Sequence, residues 1–376
     1  MVVVVRDSRF RPSTMVDGFK VVTWVDRLFR IRRDVSERVS VLPYFPWLYI
    51  RSWVFRLTWQ IPLLSMARLF RKSDVAREEF HELLAKINCD VYCCLGVSQR
   101  TARIFSVARQ QSRGTILFIA ANSDLDPLYV TEPGIRNAAG DSGESCAAAI
   151  RDADLIVCQT EIQQRLLKDN FGRGSCLLPN PFEYDDWQRK MQSLLRPATL
   201  RADRYALWVG RSDQHHKRPQ ILLSIAQRCP RISFVMIMNT LDASVAMVMR
   251  DNCPENVQII ESVTFSEMPA WFRDAAMFIS TGSRQFEGFP NVFLQAAASA
   301  VPIVSLEVDP GFVTQFNAGV VCNSDVEIMM SEVTELWSDV NRARSLGQNG
   351  QNYMKTRDVE DDSGHRLAEI IHNALQ

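Results

Sequence analysis

The stretch ALWVGRSDQHHKRP, residues 206–219, decides the fold class of this chain. Its apolar run ends at Gly210, and two cations, Arg211 and Lys217, follow in the adjoining loop and helix start. In an open α/β sheet, ligands bind just beyond the carboxyl ends of the strands. A glycine there lets the backbone approach a ligand, and an arginine fork beside a lysine suits a diphosphate. Taken alone, such a pair is more often solvated surface charge.

A second stretch, STGSRQFEGFPNVFLQAAASAVPIVS at residues 280–305, predicts a strand, a glycine-containing loop and a helix with Pro290 in its first turn. The free N–H groups and the dipole of a helix N-terminus favour an anion, and Gly288 permits a phosphate to come close. Glu287 would lie at the mouth of the same cleft, and Gln295 could reach a hydroxyl from inside the helix. The alternative is a capped core helix with a surface glutamate.

Short apolar runs alternate with helical segments around both stretches, which predicts an α/β fold with parallel sheets. From Tyr205 onward six strands are predicted, as a doubly wound Rossmann-like domain requires, at residues 205–210, 233–238, 257–263, 277–281, 302–308 and 319–322. Strands in the first half are predicted at residues 2–5, 21–25, 91–97, 115–122 and 155–159. Thr160 and Gln163 then form a capping box, and Gly172 follows the last turn of that helix.

A third stretch, AAIRDADLIVCQTEIQQRLLKDNFG at residues 148–172 followed by LLPNP, completes a joint pattern with G-R-x5-K at Gly210 and with EGFPNVFLQ at residues 287–295. In this order the three resemble the retaining glycosyltransferases of family 4, also called glycosyl transferases group 1. The resemblance covers about residues 89–375. It implies the GT-B fold, in which two Rossmann-like domains face each other across a cleft.

The resemblance also implies roles for individual residues. Arg211 and Lys217 match the basic pair that binds the donor diphosphate and stabilises the leaving nucleoside diphosphate without a metal. Glu287 matches the glutamate that contacts the donor sugar. Glu287, Arg211 and Lys217 are therefore the predicted catalytic residues. The loop that offers amides to the phosphate matches Gly288, Phe289, Pro290 and Asn291, and Gly210 completes the donor-binding set.

Two further donor contacts are expected in the same half. Gln295 stands where the family usually has a second glutamate that binds the ribose hydroxyls. An amide can still hydrogen-bond to a hydroxyl, but the contact is weaker without the charge. The strand at residues 257–263 would contribute Val263 to the nucleobase pocket.

Polar residues follow the strand at 115–122, where family members often carry a histidine that this chain lacks. Asn122, Asp124 and Asp126 are therefore the candidates for facing the acceptor or the donor sugar. The alternative is a turn rich in Asx residues. Asp124 and Asp126 also spell DxD, a metal-binding pattern that short chance matches produce easily, and His215-His216 reads as a polar loop. No metal and no cofactor is therefore expected.

The predicted domains are an N-terminal acceptor-side Rossmann-like domain at 1–182, a connection at 183–203 and a C-terminal nucleotide-sugar-binding domain at 204–360. A C-terminal helix at 361–376 is expected to pack back on the N-terminal domain. Family members open with a strand, a glycine-rich loop and a helix, whereas no glycine precedes Gly18 here. The N-terminal domain is therefore expected to lack its first βα unit.

The amino-acid composition limits the kinds of partner and the cellular compartment that this protein can have. The 376 residues carry 43 basic and 43 acidic side chains, which is unlike a nucleic-acid binder. The nine cysteines are odd in number and lie mostly in apolar runs, as in a reducing, cytoplasmic compartment. No apolar run reaches the roughly 18 residues of a membrane span, and no signal peptide is recognisable.

The first eighty residues are basic, with 15 basic and 8 acidic groups. Residues 38–73 contain no acidic side chain and interleave arginines with tryptophans, tyrosines and phenylalanines. Such a segment suits the headgroup region of an anionic membrane, which predicts a peripheral protein on the cytoplasmic face. The alternative is that these aromatics pack in the core of the N-terminal domain.

The sequence thus predicts a transferase that moves a sugar from a nucleotide-diphosphate donor to a glycan or lipid-linked acceptor with retention, in polysaccharide or cell-envelope glycoconjugate synthesis. Two alternatives stay open. One is an inactive pseudo-glycosyltransferase that acts as a binding or scaffold protein. The other is a GT-B-fold sugar-nucleotide epimerase, for which no matching set of acidic and histidine residues is apparent.

Overall fold

A computed structural model describes residues 2–6, 14–16, 19–24, 84, 89–360 and 363–373. The chain divides into two compact units, one of residues 1–92 and 103–114 and one of residues 93–102 and 115–376. The basic, aromatic segment at 38–73 lies outside the described residues. Its membrane interpretation stays a prediction.

The first unit contains a small sheet near the N-terminus. Its strands are β1 (Val2–Arg6), β2 (Thr14–Val16) and β3 (Phe19–Trp24), in the order β1-β3-β2. β1 runs parallel to β3, whereas β2 runs antiparallel to it. The strands predicted at 2–5 and 21–25 are confirmed. Elsewhere in this unit, a small core joins Leu84, Tyr92, Val107 and Ala108.

A four-stranded sheet follows in the order β4-β5-β6-β7, and β5, β6 and β7 pair in parallel. Its strands are β4 (Val91–Leu95), β5 (Gly114–Phe118), β6 (Leu155–Cys158) and β7 (Cys176–Leu177), and its helices are α1 (Gln99–Gln110), α2 (Leu128–Thr131), α3 (Gly143–Asp152) and α4 (Glu161–Phe171). The strand predicted at 115–122 ends at Phe118, and a 3₁₀ turn at Asn122–Leu125 takes up its polar end.

Both ends of α4 are capped by residue types that favour helix ends. The hydroxyl of Thr160 accepts from the N–H of Gln163 at 3.1 Å, as predicted. The side chain of Gln163, however, accepts from the N–H of Gln159 at 2.8 Å, one residue earlier than a regular capping box requires. Gly172 ends the helix with φ of 65°, a left-handed conformation that glycine adopts without strain.

The larger sheet has six strands, all parallel, in the order β10-β9-β8-β11-β12-β13. All six predicted strands are confirmed, with shifts of a few residues at their ends. They are β8 (Tyr205–Arg211), β9 (Phe234–Asn239), β10 (Val257–Ile260), β11 (Ala275–Ser280), β12 (Ile303–Ser305) and β13 (Gly319–Val321), with helices α6 (Pro219–Arg228), α7 (Ala243–Asp251), α8 (Met268–Arg273), α9 (Asn291–Ala298), α10 (Phe312–Gln315), α11 (Val326–Ser338) and α12 (Val340–Glu360).

Helices cover both faces of this sheet, and the residues of β8 show why. Side chains alternate along a strand, so Ala206 and Trp208 enter one apolar core while Tyr205 and Leu207 enter the other. Strands buried on both faces read as continuous apolar runs, which is the pattern that the sequence displays. Because all six strands run parallel, their carboxyl ends lie along one edge of the sheet.

Two helices tie the parts of the second unit together. The segment predicted as a connection contains α5 (Tyr184–Ser193), and the buried indole of Trp187 donates to Ser299 Oγ at 2.8 Å. The C-terminal helix α13 (Ser363–Asn373) carries Arg366, whose guanidinium donates to the carbonyl of Leu177 at 2.9 Å. Both helices thus contact residues distant in sequence.

All nine cysteines lie in the described residues, and none forms a disulfide. In the part of the chain that the structure describes, no helix combines the length and the apolar composition needed to cross a bilayer.

Candidate active site

Four side chains form a charged cluster beyond the carboxyl ends of β8 and β11: Arg211, His216, Lys217 and Glu287. Arg211 Nη2 lies 2.9 Å from Nδ1 of His216. His216 Nε2 lies 3.1 Å from Oε1 of Glu287 without forming a regular hydrogen bond. Lys217 Nζ donates to the same oxygen. The two predicted motifs therefore meet at one carboxylate.

A turn centred on Asp213 shapes the loop that carries this cluster. Asp213 Oδ1 accepts from the N–H of His215 at 2.9 Å and from that of His216 at 2.8 Å. Burial alone would raise the pKa of Asp213, but these two backbone donors outweigh it and lower the pKa overall. The turn therefore fixes where His216 and Lys217 leave the backbone.

Arg218 fastens this loop to the loops after β11 and β12. Its Nε and Nη2 donate to the carbonyls of Thr281 and Gly282, each at 2.7 Å, and its Nη1 lies 2.6 Å from Glu307 Oε1. Arg218 has φ of 47°, which is costly for a residue with a Cβ and is held by these contacts. The sequence motifs did not single out this residue, although it directly follows Lys217.

Glu287 is buried, with 6% of its surface exposed. Burial raises its pKa, but contact with His216 and the charge on Lys217 outweigh burial and hold the pKa below its usual value. A Cβ at Gly282 would come within 2.9 Å of Glu287 Oε1, so the loop passes close over the carboxylate. The site therefore keeps an ionised carboxylate away from water.

Packing explains why residue 210 is a glycine. A Cβ at this position would lie 2.5 Å from Cη2 of Trp208. The indole of Trp208 in turn donates to Thr281 Oγ1 at 2.9 Å, and that hydroxyl donates to the carbonyl of Lys217 at 2.6 Å. The absence of a side chain at Gly210 thus lets Trp208 link β8 to the loop after β11.

The loop before α9 faces neutral side-chain amides that lie beside the four-stranded sheet. A Cβ at Gly288 would lie 2.6 Å from Nε2 of Gln163 and 2.8 Å from the carbonyl oxygen of Ala120. The N–H of Phe289, expected to face a phosphate, donates to Gln159 Oε1 at 3.2 Å. We call Asn122, Gln159 and Gln163 the amide edge.

The remaining residues of this loop have structural partners as well. Pro290 is the N-cap of α9, which begins at Asn291. Asn291 Oδ1 accepts from Asn180 Nδ2 at 2.7 Å, and the same amide group donates to the carbonyl of Phe289 at 3.0 Å. The predicted phosphate loop is thus braced from residue 180.

Gln295 lies inside a helix, as predicted, whereas Val263 lies outside the strand that was predicted to contain it. Gln295 is buried in α9, and its Oε1 has no hydrogen-bond partner among the described residues. A buried polar atom without a partner is costly, which makes it a candidate for binding a ligand hydroxyl. Val263 lies beyond Ile260, where β10 ends, and packs against the core on that face.

The three acceptor-side candidates separate into two groups. Asp124 Oδ2 accepts from the N–H groups of Ala120 and Ala121 at 2.8 and 3.1 Å, and Asp126 Oδ1 accepts from that of Leu128 at 3.0 Å. Burial raises the pKa of Asp124, which these backbone donors only partly offset. Both aspartates thus stabilise local turns.

Asn122, by contrast, reaches the loop after β11. Its Nδ2 donates to the carbonyl of Arg284 at 2.9 Å, and its buried Oδ1 has no partner within the described part of the chain. A cavity of about 380 Å³ opens beside this contact. It is lined by Asn122, Thr160, Ile162, Arg165, Arg284, Gly288, Glu307, Val308 and Asp309.

The sequence motifs cover only part of this arrangement. His215 is exposed, as a polar loop predicts, but His216 is half-buried between Arg211 and Glu287. The sequence feature that points to His216 is the basic run HHKR in the loop after a strand. Gln159 and Gln163 gave only a helix-capping signal, because their contacts with Gly288 and Phe289 are more than 100 residues away in sequence.

Comparison with known proteins agrees with this architecture. Residues 203–339 match the family model described as Glycosyl transferases group 1. No curated protein sequence matches the chain significantly.

Three solved structures illustrate the fold. A trehalose-6-phosphate synthase is 10% identical with a TM-score of 0.67, over 99% of this chain and 92% of that one. A TarM variant from S. aureus, in complex with fondaparinux, α-GlcNAc-glycerol and UDP, is 15% identical with a TM-score of 0.58. The similarity covers 79% of this chain, which spans 58% of the TarM chain.

The third is a UDP-GlcNAc 2-epimerase from Neisseria meningitidis bound to UDP-GlcNAc, 12% identical with a TM-score of 0.51, over 74% of this chain and 78% of that one. At these identities the likeness shows the fold alone, which confirms the predicted α/β architecture of two Rossmann-like domains. The fold, together with the match over residues 203–339, supports a glycosyltransferase of the GT-B class.

Proposed function

We propose that this protein transfers a sugar from a nucleotide-diphosphate donor to a glycan or lipid-linked acceptor with retention of configuration and without a metal. The pathway we propose is polysaccharide or cell-envelope glycoconjugate synthesis. The observation that carries the proposal is the charged cluster, in which Lys217 contacts the buried carboxylate of Glu287 and His216 lies between that carboxylate and Arg211. This cluster lies inside the residues that match the group 1 family.

The chemistry follows from where charge develops. Breaking the bond between sugar and phosphate leaves positive charge on the sugar ring and negative charge on the departing diphosphate. Arg211 and Lys217 would bind that diphosphate, and such fixed cations favour the transition state over the ground state. Glu287, held ionised by its neighbours, would contact the donor sugar.

The rest of the donor would lie along α9 and β10. Gln295 offers an unpartnered oxygen that can accept from a ribose hydroxyl, and Val263 would contact the nucleobase. The N–H groups of Phe289 and Asn291 belong to the loop that is predicted to bind the phosphate. For Phe289 to bind a phosphate oxygen, Gln159 must release its N–H.

The acceptor would enter through the cavity between Asn122 and Gly288. In a retaining transfer the acceptor hydroxyl attacks on the face that the diphosphate leaves, and the leaving phosphate can take its proton. The carboxylates in this cavity are engaged already, Glu307 by Arg218 and Asp309 by backbone N–H groups. They therefore do not replace the phosphate as the base.

Peripheral attachment at the cytoplasmic face of the membrane is part of the same proposal and rests on residues 38–73. Its test is binding to vesicles of anionic and of neutral lipid, with alanine at Trp47, Trp53 and Trp59. Equal binding by this variant and the unaltered chain would contradict the proposal.

The test of the function itself begins with binding of UDP, GDP and ADP by calorimetry, followed by nucleotide-sugars of the base that binds. We expect one nucleoside diphosphate to bind, and Arg211→Ala and Glu287→Ala to abolish sugar transfer. A scaffold would bind none of the three. An epimerase would convert the nucleotide-sugar without any acceptor, which NMR of the donor would detect, and retention would be read from the anomeric configuration of the product.

A further inference from the structure

His216 occupies the centre of the charged cluster, a position that neither sequence motif assigns. Its Nδ1 lies 2.9 Å from Nη2 of Arg211. A guanidinium can only donate, so Nδ1 must be the acceptor, and the ring proton therefore resides on Nε2. That Nε2 lies 3.1 Å from Oε1 of Glu287. One neutral imidazole thus connects a cation on one side to a carboxylate on the other.

The backbone of His216 is fixed on both sides. Its N–H donates to Asp213 Oδ1 at 2.8 Å, and its carbonyl accepts from the N–H of Ser283 at 2.9 Å. The side chain keeps only 20% of its surface exposed and lies near the ring of Phe286, with 6.2 Å between ring centroids. The imidazole therefore presents its two nitrogens in set directions.

Arg211, in contrast, is an exposed side chain whose guanidinium contacts His216 in the cluster. A long side chain without such a contact must be ordered when it binds a ligand, and the loss of rotamer freedom reduces affinity. The imidazole also lies beside the carboxylate oxygen of Glu287 that accepts from Lys217.

We propose that His216 is a positioning residue, which orients Arg211 toward the distal phosphate of the donor and shares the carboxylate of Glu287 with Lys217. This inference rests on the proposed function. It predicts that His216 contributes to affinity for a diphosphate but not to affinity for the matching monophosphate, which lacks the phosphate that Arg211 would reach.

The experiment compares His216→Leu, which removes both ring nitrogens, with His216→Asn, which keeps an acceptor for Arg211. His215→Leu is the matched control, because His215 is the exposed neighbour on the same turn. Calorimetry measures binding of UDP, GDP or ADP, whichever the unaltered protein binds, and of the corresponding monophosphate. Thermal unfolding checks that each variant is folded.

We expect His216→Leu to weaken diphosphate binding about tenfold, the loss of one charge-assisted hydrogen bond, and to leave monophosphate binding unchanged. His216→Asn should recover most of the affinity, and His215→Leu should match the unaltered protein. In an Arg211→Ala background, His216→Leu should have no further effect. If His216→Leu is too unstable to measure, His216→Ala replaces it in the same double-mutant cycle with Arg211→Ala.

Equal affinities for His216→Leu and His215→Leu would overturn the inference while leaving the proposed function intact. A parallel loss of monophosphate and diphosphate binding would also overturn it, because it would indicate a general loss of loop structure. If the unaltered protein binds none of the three diphosphates, the proposed function itself fails.

Discussion

The charged cluster and the amide edge form the two sides of the candidate site, and they are built on opposite principles. The charged cluster lies on the loops after β8 and β11, and every member contacts another member. The amide edge consists of the neutral side chains Asn122, Gln159 and Gln163. Two of them, Asn122 and Gln163, retain a buried polar atom without a partner among the described residues.

The contrast indicates which side of the site is fixed and which is adaptable. A buried charge is costly unless it is paired, so the carboxylate of Glu287 must keep its contact with Lys217. A neutral amide carries both donors and acceptors and can exchange one partner for another at little cost. We therefore expect changes in the charged cluster to abolish chemistry, and changes in the amide edge to shift affinity and stability.

The largest effect is expected from Lys217→Met, which removes a cation from the charged cluster while keeping the length of the side chain. Loss of a group that stabilises developing charge should lower turnover about 100-fold or more. The measurement is release of nucleoside diphosphate from the donor identified by the binding panel. Lys168→Met, an exposed lysine on α4, is the control, and equal turnover of the two variants would show that the cluster is not catalytic.

Gly288→Ala should produce the next largest effect, by forcing the two sides apart. The new Cβ would lie 2.6 Å from Gln163 Nε2 and 2.8 Å from the carbonyl oxygen of Ala120. We expect the free energy of unfolding to fall by about 1–3 kcal/mol, as for other overpacked sites. Gly174→Ala is the matched control, because a Cβ there would meet nothing within 4 Å. Identical denaturant midpoints would exclude the close approach of the amide edge.

The pH dependence of stability tests the ionisation of Glu287. Its pKa in the folded protein is held below the ordinary value of 4.5. A lowered pKa stabilises the fold above the unfolded-state pKa, and that stability is lost as pH falls through the folded-state pKa. Unfolding by denaturant between about pH 6 and about pH 3 should therefore show a steeper loss in the unaltered protein than in Glu287→Gln. Parallel curves would mean that the carboxylate is not stabilised by its neighbours.

The smallest effect is expected from Gln159→Ala, which releases the N–H of Phe289. If a donor oxygen competes for that N–H, removing Gln159 should raise donor affinity about two- to fivefold, the worth of one neutral hydrogen bond. Calorimetry with the donor measures this. Gln164→Ala provides the control, because Gln164 contacts Ser175 instead. A loss of affinity in Gln159→Ala would mean that Gln159 itself binds the donor.

Much of the C-terminal side was predictable because its signals are local. The six strands are continuous apolar runs, Arg211 is the last residue of β8, and Lys217 and Glu287 lie in the loops that follow β8 and β11. The caps of α4 were predictable for the same reason, since Thr160 and Gly172 act within one turn of their own positions. Asp124 and Asp126 show the limit, because a turn aspartate and a ligand-binding aspartate look alike in sequence.

Local sequence specifies the class of fold and the charges that the site can use, because hydrophobic period and turn chemistry are properties of neighbouring residues. Only the tertiary structure decided which side chains meet. His216 and Glu287 are 71 positions apart, and Gln159 and Phe289 are 130 apart. Such contacts arise from the order of strands in the two sheets and from the packing of helices between them, which set distances that no local pattern encodes.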